Sequence, residues 1–127
     1  MKLPRSIRIK IGSKTALAIY PNVYLPKKVF ENLKSKNPNP KYIAILAHEQ
    51  KHIERQKEMG PFKWGIKYSF CSGFRFNEEL AATKAQMEVH KKYGIKFDIE
   101  KNARYLSSWL YFWPVSYETA KKELEKI

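Results

Sequence analysis

The sequence predicts a mainly helical α+β protein with a small β element at its N-terminus. The alternation of apolar and charged residues that is typical of a strand occurs near the N-terminus, and after residue 26 apolar residues recur at steps of three and four. The chain has 127 residues, 43% of them hydrophobic. Two domains of half that length would each bury too small a core. We therefore expect a single domain over residues 1–127.

The β element is expected in residues 7–20. Three isoleucines alternate with Arg8 and Lys10 at its start, which is the period of a half-buried strand. A Gly-Ser pair then interrupts the pattern before a second short apolar segment at 15–20. The two segments are predicted to pair as a hairpin.

The rest of the chain is predicted to form six helices separated by breaks that contain proline or glycine. Their expected ranges are 26–34, 41–59, 61–69, 77–93, 99–109 and 116–127. Pro26 suits the first turn of a helix, and Gly60-Pro61 ends the second helix. Ser116 is a suitable side-chain cap for the last helix.

The chain is strongly basic, with 25 Lys and Arg against 12 Asp and Glu and a formal net charge of +13. Much of the excess lies in residues 1–41, which contain ten basic side chains and one acid, Glu31. Such a region can attract nucleic acid or an acidic partner. The lysines are scattered and no nucleic-acid motif accompanies them, so we expect the charge mainly to keep the surface solvated.

Several classes of protein are disfavoured by the sequence. No apolar run reaches the roughly 20 residues needed to cross a bilayer, and the N-terminus lacks the apolar core of a secretory signal. The single cysteine, Cys71, cannot form an internal disulfide. We therefore expect a cytoplasmic protein without a membrane partner, and the pattern predicts no particular oligomeric state.

Residues 48–52 form an H-E-x-x-H motif inside the predicted helix 41–59. At about 100° per residue, His48 and His52 lie only about 40° apart on one helix face. They can therefore share one zinc ion, and Glu49 lies beside them, where it can take a proton from a metal-bound water. The alternative is a pair of exposed histidines on an ordinary charged helix.

A catalytic zinc needs a third protein ligand, and the predicted helix 77–93 offers Glu78 and Glu79 near its start. Helical phase prefers Glu78, because the alanines and the valine that follow centre on its face. Acids in a first turn also favour the helix dipole without any metal. If neither carboxylate is a ligand, His90 and Asp98 are the next candidates.

An H-E-x-x-H motif followed about 26 residues later by E-x-x-A on a second helix resembles the gluzincins, the branch of the zincin metallopeptidases with a glutamate ligand. Residues 42–117 are similar to the very small zincin-like metallopeptidases of bacteriophage genomes and their bacterial relatives. The residues that carry this likeness are His48-Glu49-Gln50, Gln56, Gly60, Phe62, Lys67-Tyr68, Arg75, Glu79-Leu80-Ala81-Ala82, Gln86, Leu106-Ser107-Ser108-Trp109 and Ser116-Tyr117.

The resemblance implies a minimal zincin-like domain that hydrolyses a peptide or protein substrate, located in the host cytoplasm or the virion if it is phage-encoded. It implies that Glu49 is the general base and that the zinc ligands are His48, His52 and Glu79. Glu79 is preferred over Glu78 on this ground because Ala82 and Gln86 then match the family's alanine and glutamine.

A non-catalytic protein is the alternative function. The same ligands would then stabilise a basic domain that binds nucleic acid or a phage or other protein assembly. Glu49 separates the two hypotheses, because a structural zinc site has no need of a glutamate beside its histidines.

The aromatic residues of the C-terminal half are expected in the core and at its rim. They are Trp64, Tyr68, Phe70, Phe74, Phe76, Trp109, Phe112 and Trp113. Tyr105, Tyr111 and His90 are candidates for stabilising the oxyanion of a peptidase reaction, and the sequence does not choose among them.

Overall fold

A three-stranded sheet precedes six helices in a computed structural model that describes residues 1–108 and 116–127. The strands are β1 (Ile7–Lys10), β2 (Leu17–Ile19) and β3 (Asn22–Pro26). The helices are α1 (Lys27–Lys34), α2 (Pro40–Met59), α3 (Pro61–Phe70), α4 (Ser72–Lys92), α5 (Ile99–Ser108) and α6 (Tyr117–Glu125). The predicted mainly helical α+β class is confirmed.

The sheet differs from the predicted hairpin. Its order is β1-β3-β2, with β1 parallel and β2 antiparallel to the central β3. The prediction paired the two segments nearest in sequence and missed β3, whose Val23 and Leu25 are 2% and 0% exposed. A strand that buries such residues is more stable between two neighbours than at an edge, because its backbone is then paired on both sides.

The C-terminal end of α2 lies where the sequence predicted it, and a side-chain cap that was not predicted fixes its N-terminal end. The side chain of Asn39 accepts a hydrogen bond from the Lys41 amide, and Pro40 occupies the first turn. The helix ends at Gly60, whose φ of 99° is costly for other residues. The sequence therefore defines the helix that carries the H-E-x-x-H motif.

Helix α4 begins at Ser72 rather than at the predicted Asn77. Gly73 weakens the helical pattern of this stretch, but Phe76 packs into the core and stabilises the extra turn. Glu78 and Glu79 consequently lie beyond the first turn of α4. The helix dipole, which acts mainly within the first turn, does not account for their presence.

Two apolar clusters flank the contact between α2 and α4. One joins the sheet to α1 and α2, and the other joins α4, α5 and α6. Helix α2 packs more extensively on α4 than on any other described element. Ala44 of α2 and Ala82 of α4 are both 0% exposed, and their small size suits a close approach of the two helices. The side chains between these helices form the site described below.

The predicted aromatic core is only partly correct. Trp64 and Phe76 are buried, but Phe70 is 83% exposed at the end of α3. Trp109, Phe112 and Trp113 lie outside the described residues. None of the described helices combines the length and the apolar composition that a bilayer crossing requires.

Candidate metal centre

Two histidines of α2 face a glutamate of α4. His52 Nε2 lies 2.8 Å from Glu79 Oε2, and His48 Nε2 lies 3.4 Å from Glu79 Oε1. The two imidazole rings are 5.0 Å apart between centroids. One ligand atom from each of the three residues lies within 4.8 Å of the others. The structure therefore brings together the three side chains that were predicted as ligands.

This donor set fits a zinc ion. Two imidazole nitrogens and one carboxylate oxygen form a common catalytic zinc site, in which a fourth position stays open. Bonds of about 2.0–2.1 Å place tetrahedral ligands about 3.3 Å apart, close to the 2.8 and 3.4 Å between the imidazole nitrogens and the Glu79 oxygens. The three side chains are 6–16% exposed, so the surroundings shield them from bulk water.

Glu78 points away from the histidines. It is 1% exposed, accepts a hydrogen bond from Trp64 Nε1 at 2.6 Å and forms an ion pair with Arg55. The expectation from helical phase, which favoured Glu78, is therefore wrong about which carboxylate faces α2. Ala82 is fully buried whereas Ala81 is only half-buried, so the packed face of α4 is centred closer to Glu79.

Neighbouring side chains hold two of the three candidate ligands in place. Gln86 Oε1 lies 3.0 Å from His48 Nδ1, and an amide oxygen there favours the tautomer with the proton on Nδ1 and a lone pair on Nε2. Tyr68 donates a hydrogen bond to Glu79 Oε2 at 2.8 Å and stacks on Trp64 with centroids 4.6 Å apart. His52 Nδ1 is buried and has no hydrogen-bond partner in the described part of the chain.

Charges around the site shift the pKa values of its residues. Burial raises the pKa of Glu49, and the nearby histidines only partly oppose this. Burial alone would raise the pKa of Glu79, but its hydrogen bonds to His48 and His52 lower the pKa below the ordinary value. Burial alone would lower the pKa of His48, but Glu79 outweighs it and the pKa is raised. Without metal, the cluster thus favours a protonated His48 beside an ionised Glu79.

A cleft of about 320 Å³ gives access to this cluster. Glu49 lines it together with His48, and residues of β2 and α3 form its walls. Tyr105 of α5 also lines the cleft. Burial, followed by the charges of Glu79 and Glu49, raises the pKa of Tyr105 to about 12. Its hydroxyl group therefore keeps its proton at neutral pH and can donate a hydrogen bond.

The other predicted candidates lie elsewhere. His90 does not line the cleft, and its Nδ1 is 3.2 Å from the Lys96 carbonyl oxygen. Asp98 is exposed and accepts a hydrogen bond from the Lys101 amide at the start of α5. Tyr111 lies outside the described residues. Tyr105 is thus the one oxyanion candidate that the described residues place in the cleft.

Gln56 has a positional role that was not predicted from the sequence. It lies one helical turn beyond His52 and is 3% exposed. Its side chain connects α2 to the end of β2. Its Nε2 donates to the Ala18 carbonyl at 3.1 Å, and its Oε1 accepts from the Tyr20 amide at 2.7 Å. The spacing of residues 48, 52 and 56 by four positions is the signal that places Gln56 on the same face.

Metal-free protein should be more stable near pH 6 than near pH 8. The depressed pKa of Glu79 contributes stability above its ordinary value of 4.5, and this contribution is lost at lower pH. The raised pKa of His48 contributes stability that is complete below 6.5 and is lost as the pH rises through the folded-state value. The pair therefore stabilises the fold most between about pH 4.5 and 6.5.

Thermal unfolding in excess chelator tests this prediction. His48→Gln is the control, and its melting temperature should depend less on pH over the same interval. Zinc-loaded protein should show the opposite trend, because the ligands must lose their protons to bind the metal. A metal-free melting temperature that rises from pH 6 to pH 8 would contradict the assigned ion pair.

Comparisons of the chain with protein-family models, with curated proteins and with solved structures found no significant match.

Proposed function

We propose that the protein is a zinc-dependent metallopeptidase in which His48, His52 and Glu79 hold the metal and Glu49 is the general base. The observation that carries the proposal is the convergence of two imidazoles and one carboxylate from two helices, within 4.8 Å of each other. These groups line the same cleft as Glu49. A substrate that enters the cleft therefore meets both the candidate ligands and the candidate base.

The residues of the site have complementary roles in hydrolysis. His48, His52 and Glu79 would hold a Zn²⁺ ion, which would supply Lewis-acid polarisation of a peptide carbonyl and would lower the pKa of a coordinated water to about 7. Glu49 accepts the proton of the attacking water and delivers it to the leaving amine nitrogen. Its raised pKa makes it a better acceptor near neutral pH than an exposed glutamate. Tyr105 keeps its proton and can donate a hydrogen bond to the carbonyl oxygen as negative charge develops there.

A strand edge beside the candidate metal ligands supports a peptide as the substrate. β2 is at the edge of the sheet, and residues 16–19 line the cleft. An extended peptide can pair its main chain with such an edge, while alternate side chains point into the cleft and away from it. Gln56 already occupies the Ala18 carbonyl and the Tyr20 amide. The proposed pairing is therefore confined to main-chain groups that precede the Ala18 carbonyl.

The purified protein should contain about one zinc ion per chain. His48→Ala and His52→Ala should each lose most of it, because each removes one of three protein ligands. Elemental analysis of freshly purified protein, and of protein refolded with excess zinc, measures the stoichiometry. His90→Gln is the matched control, since it alters the third histidine of the chain, which does not line the cleft. Wild-type protein without zinc in both preparations would refute the proposed centre.

A further inference from the structure

Helix α3 presents an apolar stripe on its exposed face. Phe62, Ile66 and Phe70 follow each other at intervals of four residues, so they lie on one side of the helix. They are 82%, 46% and 83% exposed. Trp64, on the opposite side of α3, is buried against His52, one of the candidate metal ligands. A single exposed apolar residue is ordinary, but two nearly fully exposed phenylalanines in one stripe indicate an interaction surface.

Both charged side chains of α3 itself, Lys63 and Lys67, are positive, although the exposed Glu58 of α2 lines the same surface pocket as Lys63. Residues 60–77 contain three basic side chains and no acid. At about 100° per residue, Lys63 and Lys67 border the stripe on the side of Phe70. Gly65 and Ser69, which line the cleft, border it on the other side. The exposed face of α3 thus combines an apolar ridge with a positive flank, and it is complementary to a surface that is both apolar and negatively charged.

We propose that Phe62, Ile66 and Phe70 attach the protein to an anionic membrane surface. The phenyl rings enter the headgroup layer, and Lys63 and Lys67 interact with lipid phosphates. The three side chains project as a ridge from one helix. A lipid interface accepts a ridge without a matching groove, whereas a protein partner has to provide a concave surface that fits it.

Attachment to a membrane surface departs from the expectation that the protein has no membrane partner. That expectation rested on the absence of a spanning segment, but a helix that lies in the interface needs no such segment. The attachment does not depend on metal binding or on peptidase activity. Because a helix is about 10–12 Å across, docking through α3 would hold the cleft close to the membrane surface.

Vesicle sedimentation of the full-length protein tests the proposal. Wild-type protein should sediment with vesicles of equal parts phosphatidylglycerol and phosphatidylcholine, and much less with pure phosphatidylcholine. Phe62→Ser combined with Phe70→Ser should lower the partition coefficient at least about tenfold, because two apolar anchors are lost. Lys63→Gln and Lys67→Gln should each lower it on the order of fivefold at low salt.

Ile11→Ser combined with Ile127→Ser is the matched control. It removes two other exposed apolar residues, 91% and 43% exposed, and should leave the partition coefficient unchanged. The substituted phenylalanines are so exposed that folding should not change, and circular dichroism confirms this. Wild-type protein that stays in solution with anionic vesicles, or a phenylalanine variant that sediments like wild type, would overturn the proposal. Binding of an acidic amphipathic peptide, but not of vesicles, would overturn it in favour of a protein partner.

Discussion

Replacing Glu49 by glutamine should leave about one zinc ion per chain in place and reduce peptide hydrolysis by about 10²–10⁴-fold, the range typical of general acid–base catalysis. Glutamine keeps the shape of the side chain but cannot accept the proton. Glu49 lies in the cleft beside both histidines, but it does not belong to the cluster that can hold a metal ion. Hydrolysis of a broad fluorogenic peptide library and metal analysis of the same samples separate turnover from metal content.

Glu54→Gln is the matched control for this experiment. It makes the same change on the same helix, at a side chain that is 57% exposed and pairs with Lys51. The control should keep both zinc and activity. Equal activity of Glu49→Gln and wild type would reject Glu49 as the base. If zinc-loaded wild type cleaves no peptide of the library, the zinc-stabilised binding domain becomes the better account.

Glu79→Ala and Glu78→Ala should affect different quantities, the first mainly zinc affinity and the second mainly the stability of the fold. Glu79→Ala should lower zinc affinity by more than the 10–100-fold typical of losing a residue that supports a ligand, because it removes a ligand itself. Glu78→Ala should change zinc affinity little but destabilise the fold by about 1–3 kcal/mol, because the buried Trp64 indole loses its acceptor. Chelator competition measures the affinity, and urea unfolding of the metal-free proteins measures the stability.

Glu88→Ala, at an exposed position on the same helix, should change neither quantity. A large loss of zinc affinity in Glu78→Ala, with Glu79→Ala close to wild type, would show that the two carboxylates have been assigned the wrong roles. Small and similar losses in both would place the third ligand elsewhere in the chain.

The part of the site that lies on α2 was predictable from sequence because it depends on local structure. His48, Glu49 and His52 belong to one helix, and the helical repeat alone places the two imidazoles on one face. The C-terminal end of that helix was predicted as well, since Gly60 acts through backbone conformation; the Asn39 cap at the other end is equally local but was not predicted.

The remaining features depend on how distant segments pack. Which of Glu78 and Glu79 faces the histidines is set by the rotation of α4 against α2, and a stripe of small residues gives that rotation only to within about one position. The contact of Glu78 with Trp64 joins residues 14 positions apart, and that of Gln56 with Tyr20 spans 36. No local repeat encodes such pairs. The parallel pairing of β1 with β3 was missed for the same reason.

The two hydrogen bonds between the Gln56 side chain and the end of β2 also affect how the protein avoids aggregation. An edge strand with exposed apolar residues is a template on which other chains can extend a sheet, and β2 exposes Leu17 and Ile19. Gln56 occupies one carbonyl and one amide at the end of that strand, as the peptide group of a neighbouring strand would. Another chain cannot pair along the whole of β2 without displacing this buried amide. A short peptide can still bind beside the cleft, whereas continued intermolecular sheet growth is blocked by a side chain of the helix that carries the histidines.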